Sequence, residues 1–204
     1  PSEYQEYDSE CYYDNDIAVL YEFINTNCID YDENDEYTIV ECAFHVNDFN
    51  ENGIVDPLFE ICNQAWDNGR LTVFSCYENT LISLPENIGN LTELEYLQLP
   101  NNNLEGNIPV STGNLTKLIH LDMSNNQLSG DIPFEICNLI NLKYLELNGN
   151  MLSGSIPSGI GNLTNLQTLE LQNNNLIENI PENIENLTDL YLLRLNNNNL
   201  NGNI

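Results

Sequence analysis

The residues best suited to chemistry recur at a fixed spacing in the second half of the chain. Asp122, Glu146 and Glu170 are 24 residues apart and occupy the same place in a repeated strand pattern. If those strands stack in parallel, the three carboxylates lie about 5 Å apart in one column. Like charges at that distance repel each other unless they are solvated or met by a cation. The spacing therefore predicts an acidic column on an exposed sheet.

Polar and aromatic residues flank this column at the same spacing. Tyrosine rings offer stacking faces and hydroxyl groups beside the carboxylates. The combination favours a basic peptide or a glycan as the ligand; the alternative is a solvated polar face on a protein whose partner binds elsewhere. The predicted ligand-binding residues on this face are Tyr77, Tyr96, Gln98, His120, Asp122, Tyr144, Glu146, Glu170 and Arg194.

Catalysis has little support in the sequence. The two histidines, His45 and His120, lie in unrelated segments, and no serine or cysteine stands in a recognisable nucleophile context. Neither a phosphate loop nor a metal-hydrolase spacing is present. Acid pairs on the strip could imitate a glycosidase, but an open sheet face excludes water poorly. We therefore expect a protein that is not an enzyme.

A calcium loop is the next candidate site, in the acidic stretch that precedes the repeats. Oxygen-bearing residues stand at positions 1, 3, 5 and 9 of a loop that resembles the EF-hand or dockerin type, with Gly53 at position 6 for the sharp turn. The closing acid is displaced, because Phe59 occupies position 12. A less regular loop spans 30–41, and the alternative is an acidic turn without metal. The predicted calcium ligands are Asp48, Asn50, Asn52, Asp56 and Glu60.

One 24-residue pattern, repeated from 91 to 204, supplies the elements that position the acidic column. Each copy contains a strand such as Leu97-Gln98-Leu99, with leucines inward and the middle residue outward. A single strand cannot bury its apolar face alone, so the copies must stack. An asparagine after each strand can donate to and accept from adjacent copies. These asparagines are Asn102, Asn126, Asn150, Asn174 and Asn198.

The pattern Leu-x-x-Leu-x-x-Leu-x-Leu-x-x-Asn-x-Leu-x-Gly-x-Ile-Pro resembles leucine-rich repeats of the plant type, as in receptor-kinase ectodomains and polygalacturonase-inhibiting proteins. The match covers 70–204, as one 23-residue copy and then five 24-residue copies, the last one truncated. The resemblance implies an α/β solenoid, a right-handed superhelix with a parallel β-sheet on its concave face and an N-terminal cap that contains disulfides. It says little about the ligand.

The residues before the repeats are expected to cap the exposed end of the leucine core. Apolar residues at helical spacing predict a short helix from Asp16 to Ile24, with Asp16 as its N-cap. The string Phe-Glu-Ile-Cys-Asn occurs at 59–63 and at 134–138, so 57–66 is expected to be the convex part of a degenerate first repeat. We divide the chain into an acidic, tyrosine-rich segment at 1–15, loosely ordered or ordered only by a partner, a cap at 16–69 that includes the calcium loop, and repeats at 70–204.

Five of the six cysteines lie within the first 76 residues. No Cys-x-x-Cys pair is present, which argues against a zinc ribbon or a thioredoxin-like site. Such clustering beside a repeat array indicates disulfides and an oxidising compartment. Cys137, within the repeats, is expected to be a small buried thiol. The disulfide candidates, with their pairing left open, are Cys11, Cys28, Cys42, Cys62 and Cys76.

The charge balance excludes several classes of partner. The net charge is −28, from 32 acidic and 4 basic residues. Nucleic acids and anionic membrane surfaces bind basic patches and are therefore not expected as partners. No stretch reaches the ~18–20 apolar residues that span a bilayer, so we expect no direct membrane insertion of this fragment. Because the chain starts at Pro1 and stops within a repeat, we expect a processed or trimmed piece of a longer protein.

Four Asn-Leu-Thr sequons share one convex edge of the predicted solenoid. Asn-Leu-Thr also belongs to the repeat consensus, so a sequon at this position is partly automatic. If the protein is secreted, we expect glycans on some of them. The sequon asparagines are Asn90, Asn114, Asn162 and Asn186.

Two functions remain after these exclusions. The first is a non-enzymatic extracellular recognition module that binds a protein or glycan partner through the concave face. The alternative is a structural or assembly protein of a cell-surface layer or extracellular fibre, which self-associates through caps or solenoid edges. Both place the protein outside the cell or at the cell surface.

Overall fold

The structure, a computed structural model, describes residues 4–7, 10–28, 62–77 and 81–202. Within these residues a seven-stranded sheet runs the length of the repeats, in the order β12-β11-β9-β7-β5-β4-β3. In chain order the elements are β1 (Tyr4–Tyr7), β2 (Glu10–Tyr13), α1 (Asp14–Cys28), β3 (Asn63–Asp67), β4 (Arg70–Ser75), β5 (Tyr96–Gln98), β6 (Glu105–Gly106), β7 (His120–Asp122), β8 (Gln127–Asp131), β9 (Tyr144–Glu146), β10 (Met151–Ser153), β11 (Thr168–Glu170) and β12 (Leu192–Arg194).

The repeats stack in register and share one apolar interior. Each strand from β4 to β12 in the large sheet pairs in parallel with the next, and only β3, at the edge, is antiparallel. The leucine at the centre of each short strand is at most 1% exposed at Leu97, Leu121, Leu145 and Leu169. Burial of apolar area on this scale is what holds stacked repeats together. The predicted solenoid with a parallel sheet on one face is confirmed.

Short 3-10 helices form the opposite, convex face. Four of them begin directly after the repeated proline, whose φ of −55° to −59° suits the first turn of a helix. The five 3-10 helices are Ile88–Asn90, Val110–Asn114, Phe134–Asn138, Ser158–Asn162 and Glu182–Asn186.

A smaller parallel sheet of β6, β8 and β10 lies on the flank of the coils. The repeated glycine makes it possible, because Gly106, Gly130 and Gly154 have φ of +78°, +72° and +64°. Glu178 occupies the same position in the next copy and keeps a positive φ of +65°. Among the described residues the flank pairing continues there only as an isolated bridge between Asn179 and Asn201.

The repeated asparagines join each coil to the preceding one. Asn126 Nδ2 donates to the carbonyl of Leu99 at 2.9 Å and to that of Met123 at 3.0 Å, while Asn126 Oδ1 accepts from the Leu104 amide at 3.0 Å. The side chain is buried, so these bonds satisfy backbone groups that water cannot reach. The prediction that the amide both donates to and accepts from adjacent copies is confirmed, and the same bonds occur at Asn102, Asn150, Asn174 and Asn198.

Helix α1 covers the first end of the leucine core. Ile17, Leu20 and Phe23 are buried, and the ring of Phe23 lies 5.0 Å from that of Phe74 on β4. This contact removes from water the apolar side chains that the first coil cannot cover by itself. The helical cap predicted over residues 16–24 is therefore present, within a longer helix.

The role predicted for Asp16 is wrong. The helix begins at Asp14, so Asp16 is not its N-cap. Its buried carboxylate accepts hydrogen bonds from Arg70 Nε at 3.0 Å, Arg70 Nη2 at 3.2 Å and the Leu71 amide at 2.8 Å. Burial raises the pKa of Asp16, and the Arg70 hydrogen bond opposes that rise. The carboxylate therefore ties the cap to β4.

Two other expectations about the N-terminal part are also wrong. Residues 4–7 and 10–13 are not loosely ordered, because β1 and β2 pair in an antiparallel hairpin. Residues 63–66 are not convex, because β3 pairs with β4 through a turn at Asn68 and Gly69 with φ of +49° and +74°. An Asn-Gly pair with positive φ at both positions suits a two-residue hairpin. The preceding residues 57–61 lie outside the described part of the chain.

One disulfide joins Cys62 to Cys76, with a Cα–Cα distance of 4.8 Å. It fastens the start of β3 beside the end of β4 and confirms two of the disulfide candidates. Cys137 is a free, buried thiol as expected, and burial raises its pKa to about 11. Cys42 and the side chains of Cys11 and Cys28 lie outside the described part of the chain, so their pairing stays a prediction.

Candidate functional site: the concave face

Side chains that point out of the large sheet align in columns across the coils. Val73 pairs with Tyr96, Tyr96 with His120 and His120 with Tyr144, and the next column follows the same register. The first column contains Val73, Tyr96, His120, Tyr144, Thr168 and Leu192; the second, called here the middle column, contains Ser75, Gln98, Asp122, Glu146, Glu170 and Arg194. The predicted columns are thus assembled on one face, whereas their binding of a ligand stays a prediction.

Asp122 and Glu146 are directly opposite each other on β7 and β9. Asp122 is only 8% exposed, and one of its carboxylate oxygens accepts a hydrogen bond from the Ser124 amide at 2.9 Å. Burial raises the pKa of Asp122, and the neighbouring charge of Glu146 adds to the rise. Two adjacent carboxylates are therefore held at the centre of the concave face.

A hydrogen-bonded network holds His120 beside these carboxylates. Gln98 Nε2 lies 3.0 Å from His120 Nδ1, and Gln98 Oε1 accepts from Ser75 Oγ and from the Tyr77 hydroxyl. The ring of His120 also packs against Tyr144, with 5.2 Å between ring centroids. His120 Nε2 lies 3.3 Å from Glu146 Oε1. The imidazole is thus fixed from both sides and points at a carboxylate.

The negative charge of Glu170 is compensated by a cation of the same chain. Arg194 Nη1 lies 2.9 Å from one carboxylate oxygen, and Gln172 Nε2 donates to that oxygen at 2.8 Å. The cation that the predicted acidic column requires is therefore supplied at this position by the next coil. The repulsion expected within the column is reduced at one end and persists between Asp122 and Glu146.

The concave face also contains a set of potential metal ligands. His120, Asp122 and Glu146 each offer one ligand atom, and these atoms lie within 4.8 Å of one another. The imidazole and Glu146 are half-buried, whereas Asp122 is buried. The arrangement brings two groups from β7 and one from β9 to a single point.

Three residues of the network were not selected from the sequence. Ser75, Ser124 and Gln172 bond to Gln98, Asp122 and Glu170. Their positions in the repeat could have identified them, because each occupies an outward place on or just after a strand. Their particular partners depend on side-chain rotamers that the period does not determine.

The four sequon asparagines each end a 3-10 helix on the convex face. All four are exposed, as are the threonines two residues later. The sequons therefore lie away from the concave face, and glycans attached to them would leave the concave face uncovered. The predicted calcium ligands, residues 48–60, and the second loop at 30–41 lie outside the described part of the chain.

Comparison with known protein families identifies the repeat. A family described as Leucine-rich repeat region matches residues 122–203, and a second, Leucine Rich Repeat, matches residues 93–115. No curated protein matches the chain. Within the described residues, no helix combines the length and apolar character needed to cross a membrane.

Several solved structures are similar to this chain. The ectodomain of the plant membrane receptor kinase GASSHO1/SCHENGEN3 from Arabidopsis thaliana, in complex with CASPARIAN STRIP INTEGRITY FACTOR 2, is 32% identical over 67% of this chain, with a TM-score of 0.58. The chain spans only 20% of that ectodomain and 26% of the peptide hormone receptor RGFR1, solved in complex with RGF2. The ectodomain of the receptor kinase SOBIR1 from Arabidopsis thaliana is 26% identical over 94% of this chain and 97% of its own, with a TM-score of 0.68.

Proposed function

The chain is a plant-type leucine-rich-repeat protein, and we propose that it is a non-enzymatic extracellular recognition module whose concave face binds an extended, basic segment of a protein partner. The observation that carries this proposal is the in-register middle column, which presents adjacent carboxylates beside a column that contains half-buried tyrosines. A sheet of this kind offers one continuous, pre-formed surface, which lowers the conformational-entropy cost of binding.

The dimensions of the face suit a short extended segment. Six parallel strands spaced by about 4.8 Å span roughly 24 Å, which accommodates about seven residues of extended chain at ~3.3 Å each. Tyr96 and Tyr144 are both half-buried and present their rings two coils apart. Tyrosine supplies large contact area at low conformational cost, so these rings are the expected anchors.

Charge favours a basic partner over an acidic one. The chain has a net charge of −28, and the described concave face contributes the adjacent Asp122 and Glu146. Complementary charge steers encounter and rejects acidic competitors. A neutral glycan would use the tyrosines and hydroxyl-bonding groups without this electrostatic advantage, and is the second class of ligand to be tested.

The solved relatives support a partner-binding function. GASSHO1/SCHENGEN3, RGFR1 and the Arabidopsis receptor kinase HAESA are each solved with a named peptide or factor. Each match covers at most 67% of this chain, so the identity of its own partner does not follow from them. The exposed convex sequons and the Cys62–Cys76 disulfide support an extracellular or cell-surface location.

Peptide selection tests the proposal directly. A random peptide library displayed on phage is selected against the secreted chain, and the enriched peptides are titrated against wild type, Glu146→Lys and Glu182→Lys. Glu182 is exposed on the convex face, so its reversal is a matched control for charge. We expect basic peptides whose affinity falls at least tenfold with Glu146→Lys and is unchanged with Glu182→Lys.

Other outcomes would contradict the proposal. Equal loss of affinity in both variants would mean that bulk charge, not the concave face, attracts the peptides. Failure to enrich any peptide, together with glycan binding that Glu146→Lys removes, would assign the face to a glycan. Self-association in light scattering that is insensitive to Glu146→Lys would favour the alternative, a structural protein that assembles through caps or solenoid edges.

A further inference from the structure

We propose that His120, Asp122 and Glu146 form a binding site for one divalent transition-metal ion of the zinc class on the concave face. The three side chains belong to adjacent coils. His120 and Asp122 are two residues apart on β7 and therefore point to the same side of the sheet, and Glu146 is opposite Asp122 on β9. Their ligand atoms lie within 4.8 Å of one another. This inference goes beyond the binding of a protein partner and does not depend on it.

A modest side-chain movement brings these atoms to the distances of a bound ion. Zinc–nitrogen and zinc–oxygen bonds of ~2.0–2.2 Å in tetrahedral geometry place two ligand atoms ~3.3–3.6 Å apart. Ligand atoms that are up to 4.8 Å apart must therefore close by roughly 1 Å. Glu146 is half-buried rather than enclosed, so rotation of its side chain can supply this movement.

An unsatisfied nitrogen points into the site. His120 Nε2 is inaccessible to solvent and has no hydrogen-bond partner of acceptable geometry, although Glu146 Oε1 lies 3.3 Å away. Buried polar atoms without a partner are rare in folded proteins and call for a physical explanation. A metal ion between the imidazole and the carboxylates would satisfy this nitrogen.

The network behind His120 suits a metal ligand. Metal-binding histidines usually donate their second ring N–H to an oxygen, which fixes the tautomer. Gln98 is in hydrogen-bond contact with His120 Nδ1 at 3.0 Å. With the Gln98 amide reversed, its oxygen accepts from Nδ1–H and its NH2 donates to the Ser75 and Tyr77 hydroxyls, which can accept as well as donate. In that arrangement Nε2 presents its lone pair to the metal.

The charge around the site also favours a cation. Glu170 in the same column is paired with Arg194, but no described lysine or arginine lies within ion-pair distance of Asp122 or Glu146. Two adjacent carboxylates and one imidazole are a donor set of nitrogen and oxygen that suits Zn²⁺ better than Ca²⁺ or Mg²⁺, which take oxygen ligands. Three protein ligands leave a coordination position for water or for a carboxylate or imidazole of a partner.

Isothermal titration with Zn²⁺ alone tests the site. The full chain is compared with His120→Gln, Glu146→Gln and the matched control Glu170→Gln, which removes the same charge one coil further along the column. We expect one site in the wild type that weakens at least tenfold in His120→Gln and Glu146→Gln and persists in Glu170→Gln. Gln98→Leu is expected to weaken it about tenfold, because the ring loses its orienting partner.

Two results would overturn the inference. Absence of a stoichiometric zinc site in the wild type would do so, and so would equal affinities of Glu146→Gln and Glu170→Gln, which would indicate diffuse binding to the acidic surface. Thermal unfolding of each variant without metal verifies that the fold is retained. Glu146→Gln keeps the shape of a half-buried side chain, so its result stands even if His120→Gln fails to fold.

Discussion

A single asparagine after each strand joins adjacent coils through buried hydrogen bonds. Asn126 serves four backbone groups in two coils with one amide. Neither a carboxylate nor a hydroxyl could do the same, because a carboxylate cannot donate and a hydroxyl donates only once. The residue type is therefore set by the hydrogen-bond geometry of the turn.

Asn126→Ala tests this role. Removing the amide leaves buried backbone groups without partners, and each costs about 1–3 kcal/mol. We expect a loss of about 2–4 kcal/mol in the free energy of unfolding, measured by urea denaturation. Asn103→Ala is the control, because Asn103 is exposed in the corresponding turn of the preceding copy. Equal losses in the two variants would contradict the bridging role of Asn126.

The repeat period made the role of Asn126 predictable, but it did not predict the role of Asp16. The period indicates that Asn126 follows a strand and faces the preceding coil. Its hydrogen-bond partners are therefore backbone groups of its own coil and of the preceding one. Asp16 bonds to Arg70, 54 residues away. Near a helix start an aspartate suits both an N-cap and a buried ion pair, and only the folded chain distinguishes the two.

At the scale of elements, the contact between α1 and β4 closes the apolar end of the solenoid. The Asp16 carboxylate receives the Arg70 guanidinium and the Leu71 amide in a buried position. Removing the carboxylate is costly, because the Arg70 guanidinium and the buried Leu71 amide lose the acceptor they share.

Asp16→Ala is expected to destabilise the cap by about 3–5 kcal/mol. Hydrogen exchange measured by mass spectrometry should be faster in the α1 peptide of the variant than in that of the wild type. Exchange in the repeats should be unchanged, because only the cap contact is lost. Asp189→Ala, at an exposed position in the last copy, is the control. Unchanged exchange in α1 would mean that its apolar contacts alone hold the cap.

The recurrence of Phe-Glu-Ile-Cys-Asn shows the limit of a local pattern at this scale. At 134–138 the string forms a 3-10 helix after Pro133, but the final asparagine of 59–63 begins β3. The Cys62–Cys76 disulfide and the Asn-Gly turn hold Cys62 and β3 against β4. The shared Cys-Asn ending therefore adopts different structures at 62–63 and at 137–138, because covalent and hairpin constraints act on the first copy.

At the scale of the whole molecule, the stacked coils bury their leucines and place one ribbon of outward strand residues on the concave face. Sequence periodicity sufficed to assign each outward residue to its column, because strands that stack in parallel keep one register. It could not predict that Arg194 compensates Glu170 while, in the described part of the chain, the basic side chain beside Asp122 and Glu146 is His120. Such pairings depend on rotamers and burial, which the period leaves open.

Hydroxyl-radical footprinting of the secreted chain with a library-selected peptide tests the concave binding site most directly. Tyr77 is 46% exposed and Phe134, on the convex face, is 57% exposed, so both report in one experiment. A concave site predicts that bound peptide lowers oxidation of Tyr77, Tyr96 and Tyr144 and leaves Phe134 unchanged. Protection of Phe134 with unchanged oxidation of the three tyrosines would contradict it.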